Sequence, residues 1–435
     1  MSGNLATLPE LPRDEAFAIT ADFNADDNIH KVSLGAGVYR DEKAKPWVLP
    51  SVREVSIFSS YREQGTMKAN QPQAKKILNK EPLLYHEYLP IHGHEPFLDA
   101  AQALILGTFD ASKSSVTSIQ TISGTGANHV GAAFLAENLR PHQVFISDPT
   151  WGNHHLIWQV AAPEVRRRLY PYYDPSGSFD FENMKSTLES ETKEGDVVIL
   201  HACAHNPTGV DPTRDQWQQL AHLFRRKKLF AFFDSAYQGF ATGDADADAW
   251  AIRHFQKVLF DGGPLSTQPQ GMCVAQSFAK NFGLYGERVG AFHLILPSAS
   301  PPAGSKGQLL RLIRAEISNA PLFGCRIVHT ILSNSKLREM WLRDLQTMSG
   351  RIRRMRSVLR QEIEKHRGTG DWSHLESQIG MFSYTGLSEE QVLRLRDVHH
   401  IYLLTNGRAS LSGVNDDNVN YIATAIGETM RAIPK

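Results

Sequence analysis

Residues 277–290, SFAKNFGLYGERVG, set one lysine and one arginine around a turn of small residues directly after an apolar run. Lys280 supplies a primary amine, which condenses with an aldehyde to a Schiff base. Ser277 and Arg288 supply a hydroxyl and a guanidinium, which together suit a phosphate dianion. The spacing therefore suits an aldehyde cofactor that carries a phosphate. A solvated Lys and Arg on a surface loop is the plainer alternative, so residues elsewhere must decide between the two.

In open α/β sheets ligands gather at the carboxyl ends of the strands, which makes the residues after each apolar run informative. Asp234 ends the run 229-LFAFFD, and Tyr237 follows three residues on. A carboxylate there can cap the next turn, or it can keep a bound pyridine nitrogen protonated and so make the ring an electron sink. Asn206, in HNPTG after 196-DVVIL, and Tyr237 can both donate to the phenolic oxygen of such a ring. Trp151, in DPTWGNH after 143-QVFISD, offers a flat apolar face that suits either ring stacking or the core. Ser123-Gly124-Thr125-Gly126-Ala127 follows 119-IQTIS; its N–H groups and hydroxyls can converge on a phosphate, and they equally suit an N-capped turn. After Gly124 and Gly126 the next glycine is Gly131, too late for the dinucleotide fingerprint, which speaks against a hydride-transferring dehydrogenase. His201, Cys203 and His205 alternate along one face of an extended segment, but no fourth ligand is evident and no metal is expected.

The elements that would position these residues show in the hydrophobic pattern. The runs 143-QVFISD, 196-DVVIL, 229-LFAFFD, 272-MCVAQS and 289-VGAFHLIL alternate with amphipathic stretches such as 127-ANHVGAAFLAENL and 215-DQWQQLAHLFRRK. Strands apolar throughout are those buried on both faces by crossover helices, so the pattern predicts parallel strands in a large doubly wound α/β domain. From about residue 326 a long charged helix is expected to about 366, followed by a mixed segment that reads as a smaller α+β domain. The stretch 297-PSASPPAGSKG reads as a surface loop, and the opening LPELPRDE as an extended arm.

Composition narrows the function classes. Lys plus Arg and Asp plus Glu each number 46 in 435 residues, so no net field draws the chain to nucleic acid or an anionic membrane. Three scattered cysteines fit a reducing compartment. The opening residues lack an apolar signal core, no stretch reaches membrane-spanning length, and a cytoplasmic location is expected.

Taken together, SFAKNFGLYGERVG, HNPTG, DPTWGNH, FFDSAYQGF, SGTGA and 400-HIYLLTNGRASLSG resemble the aspartate aminotransferases, fold-type I pyridoxal-phosphate enzymes, in the family's order from about Val32 onward. The resemblance implies that Lys280 forms the aldimine with pyridoxal 5'-phosphate and moves the proton between substrate and cofactor carbons. It implies that Asp234 pairs with the ring nitrogen, Asn206 and Tyr237 contact the phenolic oxygen, and Trp151 stacks on the ring. Ser123, Gly124, Thr125, Ser277 and Arg288 would receive the phosphate, joined by Tyr88 from a second subunit. Arg408 and Gly37 would hold the substrate α-carboxylate, and Arg314 of the other subunit a distal carboxylate. A homodimer with shared active sites follows, with residues 1–13 as an arm on the partner, 14–46 and 348–435 as the small domain, and 47–347 as the large one. The implied reaction is ping-pong transfer of the amino group between L-aspartate and 2-oxoglutarate, with no nucleic acid or membrane partner.

Ile317, Ala320, Leu322 and Phe323 depart from the family's usual residues beside Arg314. A more apolar distal pocket could admit aromatic amino acids, so an aromatic-amino-acid aminotransferase of the same subgroup is the alternative. The stretches around 261-DGGPLSTQPQ and 297-PSASPPAGSKG are read as surface insertions. A decarboxylase or carbon–carbon lyase of the same fold would keep Lys280 and Asp234 and change the substrate clamps. A non-catalytic regulator would need a DNA-binding extension, and no basic helix-turn-helix pattern is found.

Overall fold

The chain builds a seven-stranded sheet, with its most apolar runs as the central strands: β1 (Ser114–Ile122), β2 (Gln143–Asp148), β3 (Arg166–Pro171), β4 (Val197–His201), β5 (Phe230–Ser235), β6 (Met272–Ser277) and β7 (Val289–Pro297), of which β1 and β3 are the edges. Their order across the sheet is β1-β7-β6-β5-β4-β2-β3. The computed structural model describes residues 12–60, 87–108, 113–262, 264–297, 302–366 and 368–434. Contacts among these residues form two compact units. The larger comprises the described residues within 46–354 and 377–381 and holds the sheet; the smaller comprises those within 12–45, 355–376 and 382–434. The arm expected over residues 1–13 lies, apart from 12 and 13, outside the described residues.

Every residue of β4, β5 and β6 is buried. Successive residues feed two separate cores. Val198, Leu200, Ala231, Phe233, Met272 and Val274 pack on one face, and Val197, Ile199, Phe230, Phe232, Cys273 and Ala275 on the other, as the period of two along a strand requires. On the second face lies α1 (Ser123–Asn138). It approaches so closely that a Cβ at Gly131 would stand 2.7 Å from Phe232 and Phe292. The first face is covered in part by α2 (Arg214–Lys227), which presents Trp217, Leu220, Ala221 and Phe224 at helical spacing and starts at a capping box between Thr213 and Gln216.

Six strands run one way, but β7 is antiparallel to both of its neighbours, β6 and β1, which corrects the expectation that all the apolar runs are parallel. The reason lies in the connection. Only residues 278–288 join β6 to β7, too few for a crossover helix, so the chain turns straight back. That turn carries Lys280 and Arg288.

Two further expectations change. The single helix expected over about 326–366 is two, Phe323–Ser333 and Ser335–Glu364. Asn334 adopts an extended conformation between them, and its Oδ1 accepts the Leu337 N–H at 3.1 Å, capping the second helix. The stretch read as a loop from 297 contains the start of α3 (Pro302–Glu316). Proline suits a first helical turn, where its missing N–H would have no intrahelical partner.

In the smaller unit Val32–Ser33 pairs in parallel with Ile401–Tyr402, and Phe382–Tyr384 pairs antiparallel with Arg408–Ser410. Helices Glu15–Ala25, Glu389–His399 and Val419–Ala432 accompany them, giving an α+β unit.

Candidate active site

The register of the sheet brings the chemistry-bearing residues level. His201 lies beside Asp234 and Asp234 beside Ala275, so β4, β5 and β6 end on one edge. Ser277 pairs with Gly290 and Ile122 with Val289, which sets Ser123, Ser277 and Arg288 side by side. Around this edge opens a pocket of about 550 Å³ lined by Ser123, Gly124, Thr125, Trp151, Asn206, Asp234, Tyr237, Ser277, Lys280 and Arg288, with His201, Cys203 and Ala236. The first ten are residues singled out from the sequence.

At one end the backbone forms a cup. Ser123 has φ of 60° and donates its N–H to the Arg288 carbonyl at 3.1 Å. Its hydroxyl lies 3.2 Å from that of Ser277. A Cβ at Gly290 would stand 2.4 Å from the Ser123 carbonyl carbon, so only glycine permits this closeness. The first turn of α1 leaves its N–H groups without intrahelical partners, and an N-terminus of this kind attracts anions. Half-buried Arg288 supplies a positive charge, and burial pulls its pKa down from the usual guanidinium value.

At the other end Asp234, almost wholly buried, is held through Oδ2. The oxygen accepts from His154 Nε2 at 3.0 Å and from Asn128 Nδ2 at 3.2 Å. His154 Nδ1 faces the Thr150 hydroxyl at 2.9 Å, which fixes the ring's orientation. Oδ1 is buried without a hydrogen-bond partner among the described residues. Burial pushes this carboxyl up, but the hydrogen bond and charge interaction with His154, with smaller contributions from His201 and Lys280, outweigh it and hold the pKa below the ordinary value. A carboxylate with unused lone pairs in a low-dielectric site is suited to pairing with a cation.

Lys280 sits in the β6–β7 turn with Nζ 5.1 Å from the centre of the Tyr237 ring. The Tyr237 hydroxyl is 3.5 Å from Asn206 Nδ2. The Asn206 N–H donates to His201 Nδ1 at 3.0 Å, and burial drives the His201 pKa far below that of free imidazole, which keeps it neutral. Trp151 meets His154 edge-on, with centroids 5.2 Å apart. His205, one member of the alternating His-Cys-His pattern of the sequence, is sandwiched between Tyr172 and His201. Its two ring nitrogens face Thr208 and Ser147 hydroxyls at 2.9 and 3.0 Å.

Comparison with known proteins decides the family. Residues 29–426 match the family model of aminotransferase class I and II. The chain belongs to this family. It is 45% identical to an L-tyrosine:2-oxoglutarate aminotransferase of Aspergillus ustus, over 98% of this chain and 78% of that one. To the cytoplasmic aspartate aminotransferase of Saccharomyces cerevisiae it is 40% identical, over 97% and 96% of the two chains. A solved structure of the S. cerevisiae cytoplasmic aspartate aminotransferase matches with a TM-score of 0.89 over 98% of each chain, at 38% identity. An aromatic-amino-acid aminotransferase from Burkholderia pseudomallei, solved covalently bound to pyridoxal phosphate, matches with a TM-score of 0.85 over 98% of this chain and 100% of that one, at 34% identity.

Pyridoxal phosphate is the cofactor of these aminotransferases, and the pocket fits it. The cup offers N–H groups, two hydroxyls and a guanidinium to a phosphate; Asp234 offers spare acceptor capacity to a ring nitrogen; Lys280 offers an amine to an aldehyde. His154 and Asn128, which hold Asp234, were not evident from the sequence. His154 stands inside the DPTWGNH motif three residues after Trp151, and Asn128 four residues after Gly124, which in a helix places it one turn on.

The remaining predicted residues are not among those that line the pocket. Tyr88 is 86% exposed. Arg314 is exposed in the last turn of α3, bonded through Nη1 to the Ser318 hydroxyl. Nearby, Glu316 Oε1 and His129 Nδ1 form an ion pair at 2.7 Å. In the smaller unit Arg408 is buried, donates from Nη2 to the Gly35 carbonyl at 2.9 Å and lies 4.3 Å over the Phe382 ring. The same ring would stand 3.1 Å from a Cβ at Gly37.

Proposed function

We propose that this aminotransferase moves the amino group between L-aspartate and 2-oxoglutarate, giving oxaloacetate and L-glutamate, as a cytoplasmic homodimer. The observation that carries the reading is one pocket holding both the amine of Lys280 and the buried, ionised carboxylate of Asp234. The relatives named as cytoplasmic aspartate aminotransferases support the substrate and the location.

When bound, pyridoxal phosphate supplies an aldehyde for condensation and a ring that takes up the electron pair left at the substrate carbon. Lys280 Nζ is the amine for that condensation and, once free, the base that carries the proton. Asp234 holds a proton on the ring nitrogen. Asn206 and Tyr237 donate toward the phenolic oxygen, and Trp151 covers the ring face. Ser123, Gly124, Thr125, Ser277 and Arg288 grip the phosphate, with Tyr88 reaching across from the other subunit; its exposure in a single chain suits that role. Arg408 and the backbone of Gly37 take the substrate α-carboxylate. Arg314, contributed by the other subunit, takes the distal one, because a guanidinium at each end of the substrate matches two carboxylates.

A second reading has its own support: the 45% identity to a tyrosine aminotransferase, together with Ile317, Ala320, Leu322 and Phe323 beside Arg314. Transamination of aspartate, glutamate, phenylalanine and tyrosine with 2-oxoglutarate, measured side by side, tests the two. Aspartate turnover well above aromatic turnover is expected. Aromatic turnover equal to or above it would favour the second reading.

A further inference from the structure

Asn128 lies one helical turn inside α1, 1% exposed, and has no place in the roles given above. Its Nδ2 donates twice, to the Gly124 carbonyl at 2.9 Å and to Asp234 Oδ2 at 3.2 Å. Both neighbours are acceptors only, a peptide carbonyl and a carboxylate, so the amide can face them with its NH₂ group alone. Its own Oδ1 is left buried without a partner among the described residues. A side chain serving only to fill space would be better apolar here, because an unpaired buried carbonyl oxygen is destabilising. The amide therefore does something that packing does not require.

Its two acceptors belong to the two ends of the pocket. Gly124 is part of the cup around the phosphate site, and Asp234 is the acid at the ring-nitrogen site. We infer that Asn128 is a positioning residue that ties the phosphate cup to Asp234 and, with His154, stabilises the carboxylate as an anion that keeps the cofactor's ring nitrogen protonated. This rests on the pyridoxal-phosphate reading of the site. His154 alone would leave the carboxylate anchored to α-helix Asn153–Ala161; Asn128 adds a tether to the helix that also forms the cup. The two grips on one cofactor are then fixed at a constant separation. Without the amide, Asp234 loses a donor that favours its charged form, and the shared proton moves from the ring nitrogen toward the carboxylate.

The test uses the protein loaded with cofactor labelled with ¹⁵N at the ring nitrogen, in the unmodified chain and in Asn128→Leu. Asn128→Ala serves as a second variant in case leucine overfills the site, and thermal melting of each apoprotein checks that it is folded. The expected result is a ¹⁵N resonance displaced toward that of neutral pyridine. A cofactor dissociation constant raised about ten-fold should accompany it, the equivalent of one charge-assisted hydrogen bond at ~1.4 kcal/mol per factor of ten. A folded variant with an unchanged resonance overturns the inference, whether or not its affinity falls, since a role confined to shaping the cup leaves the ring proton in place. If the unmodified chain binds no pyridoxal phosphate, the functional reading itself fails, a result separate from either outcome for the variants.

Discussion

Replacing Asp234 with asparagine changes one atom and separates charge from shape. The new amide must still accept from His154 Nε2 and Asn128 Nδ2, which now meet Oδ2 at 3.0 and 3.2 Å. Its oxygen therefore takes the Oδ2 place, and its NH₂ group takes the place of Oδ1. Packing and both anchoring hydrogen bonds survive, but a neutral donor now stands where an anion had spare lone pairs. On the role proposed for Asp234, a cofactor ring nitrogen held there would lack a counter-charge and would not stay protonated, and the ring would lose its capacity as an electron sink. Losing one partner of a buried, hydrogen-bonded charge pair costs about 2–5 kcal/mol. At ~1.4 kcal/mol per factor of ten, kcat/KM for aspartate should fall roughly thirty-fold to several-thousand-fold. The assay is the aspartate half-reaction followed by the absorbance of the bound cofactor, with circular dichroism to confirm folding. A folded, cofactor-loaded variant within about three-fold of the unmodified rate would refute the role given to Asp234.

Arg314→Leu should lower kcat/KM for aspartate by the equivalent of about 2–5 kcal/mol while sparing phenylalanine; parallel loss for both substrates, or no loss for aspartate, contradicts its assignment to a distal carboxylate. The His129 imidazole is raised above its ordinary pKa because its hydrogen bond to Glu316 outweighs desolvation. The pair's contribution to stability is thus complete below about pH 6.5 and fades as pH rises through the raised value. Because both side chains are about a third exposed, this amounts to under about 1 kcal/mol. NMR titration should place His129 above free imidazole and Glu316→Gln should bring it down; a His129 pKa indifferent to that change would remove the pair. Gly290→Ala must push the Ser123 backbone aside, since the added carbon would sit 2.4 Å from it. Denaturant unfolding should show a loss of about 1–3 kcal/mol, and full stability would mean that the cup is looser than its geometry indicates.

Much of the site was legible because its residues end apolar runs. Burial on both faces makes 196-DVVIL, 229-LFAFFD and 272-MCVAQS recognisable as central strands, and the sheet then brings Asn206, Asp234 and Lys280 to one edge without further instruction. The direction of 289-VGAFHLIL was misread because composition reports burial and not polarity. The length of the link before it carries that information. The break at Asn334 and the helix start at Pro302 depend on single capping residues inside longer patterns, where periodicity gives little warning. His154 and Asn128 escaped for a different reason. They act on Asp234, 80 and 106 residues away in sequence, and not on any ligand, so only the folded chain reveals what they hold.

Whether Lys280 is the amine that meets the cofactor aldehyde is tested by reduction of the cofactor-loaded protein with borohydride, followed by digestion and mass spectrometry of the pyridoxyl-labelled peptide. A single label is expected, on Lys280 within SFAKNFGLYGER. Labelling of a different lysine, or none at all from a protein that has taken up the cofactor, would contradict it.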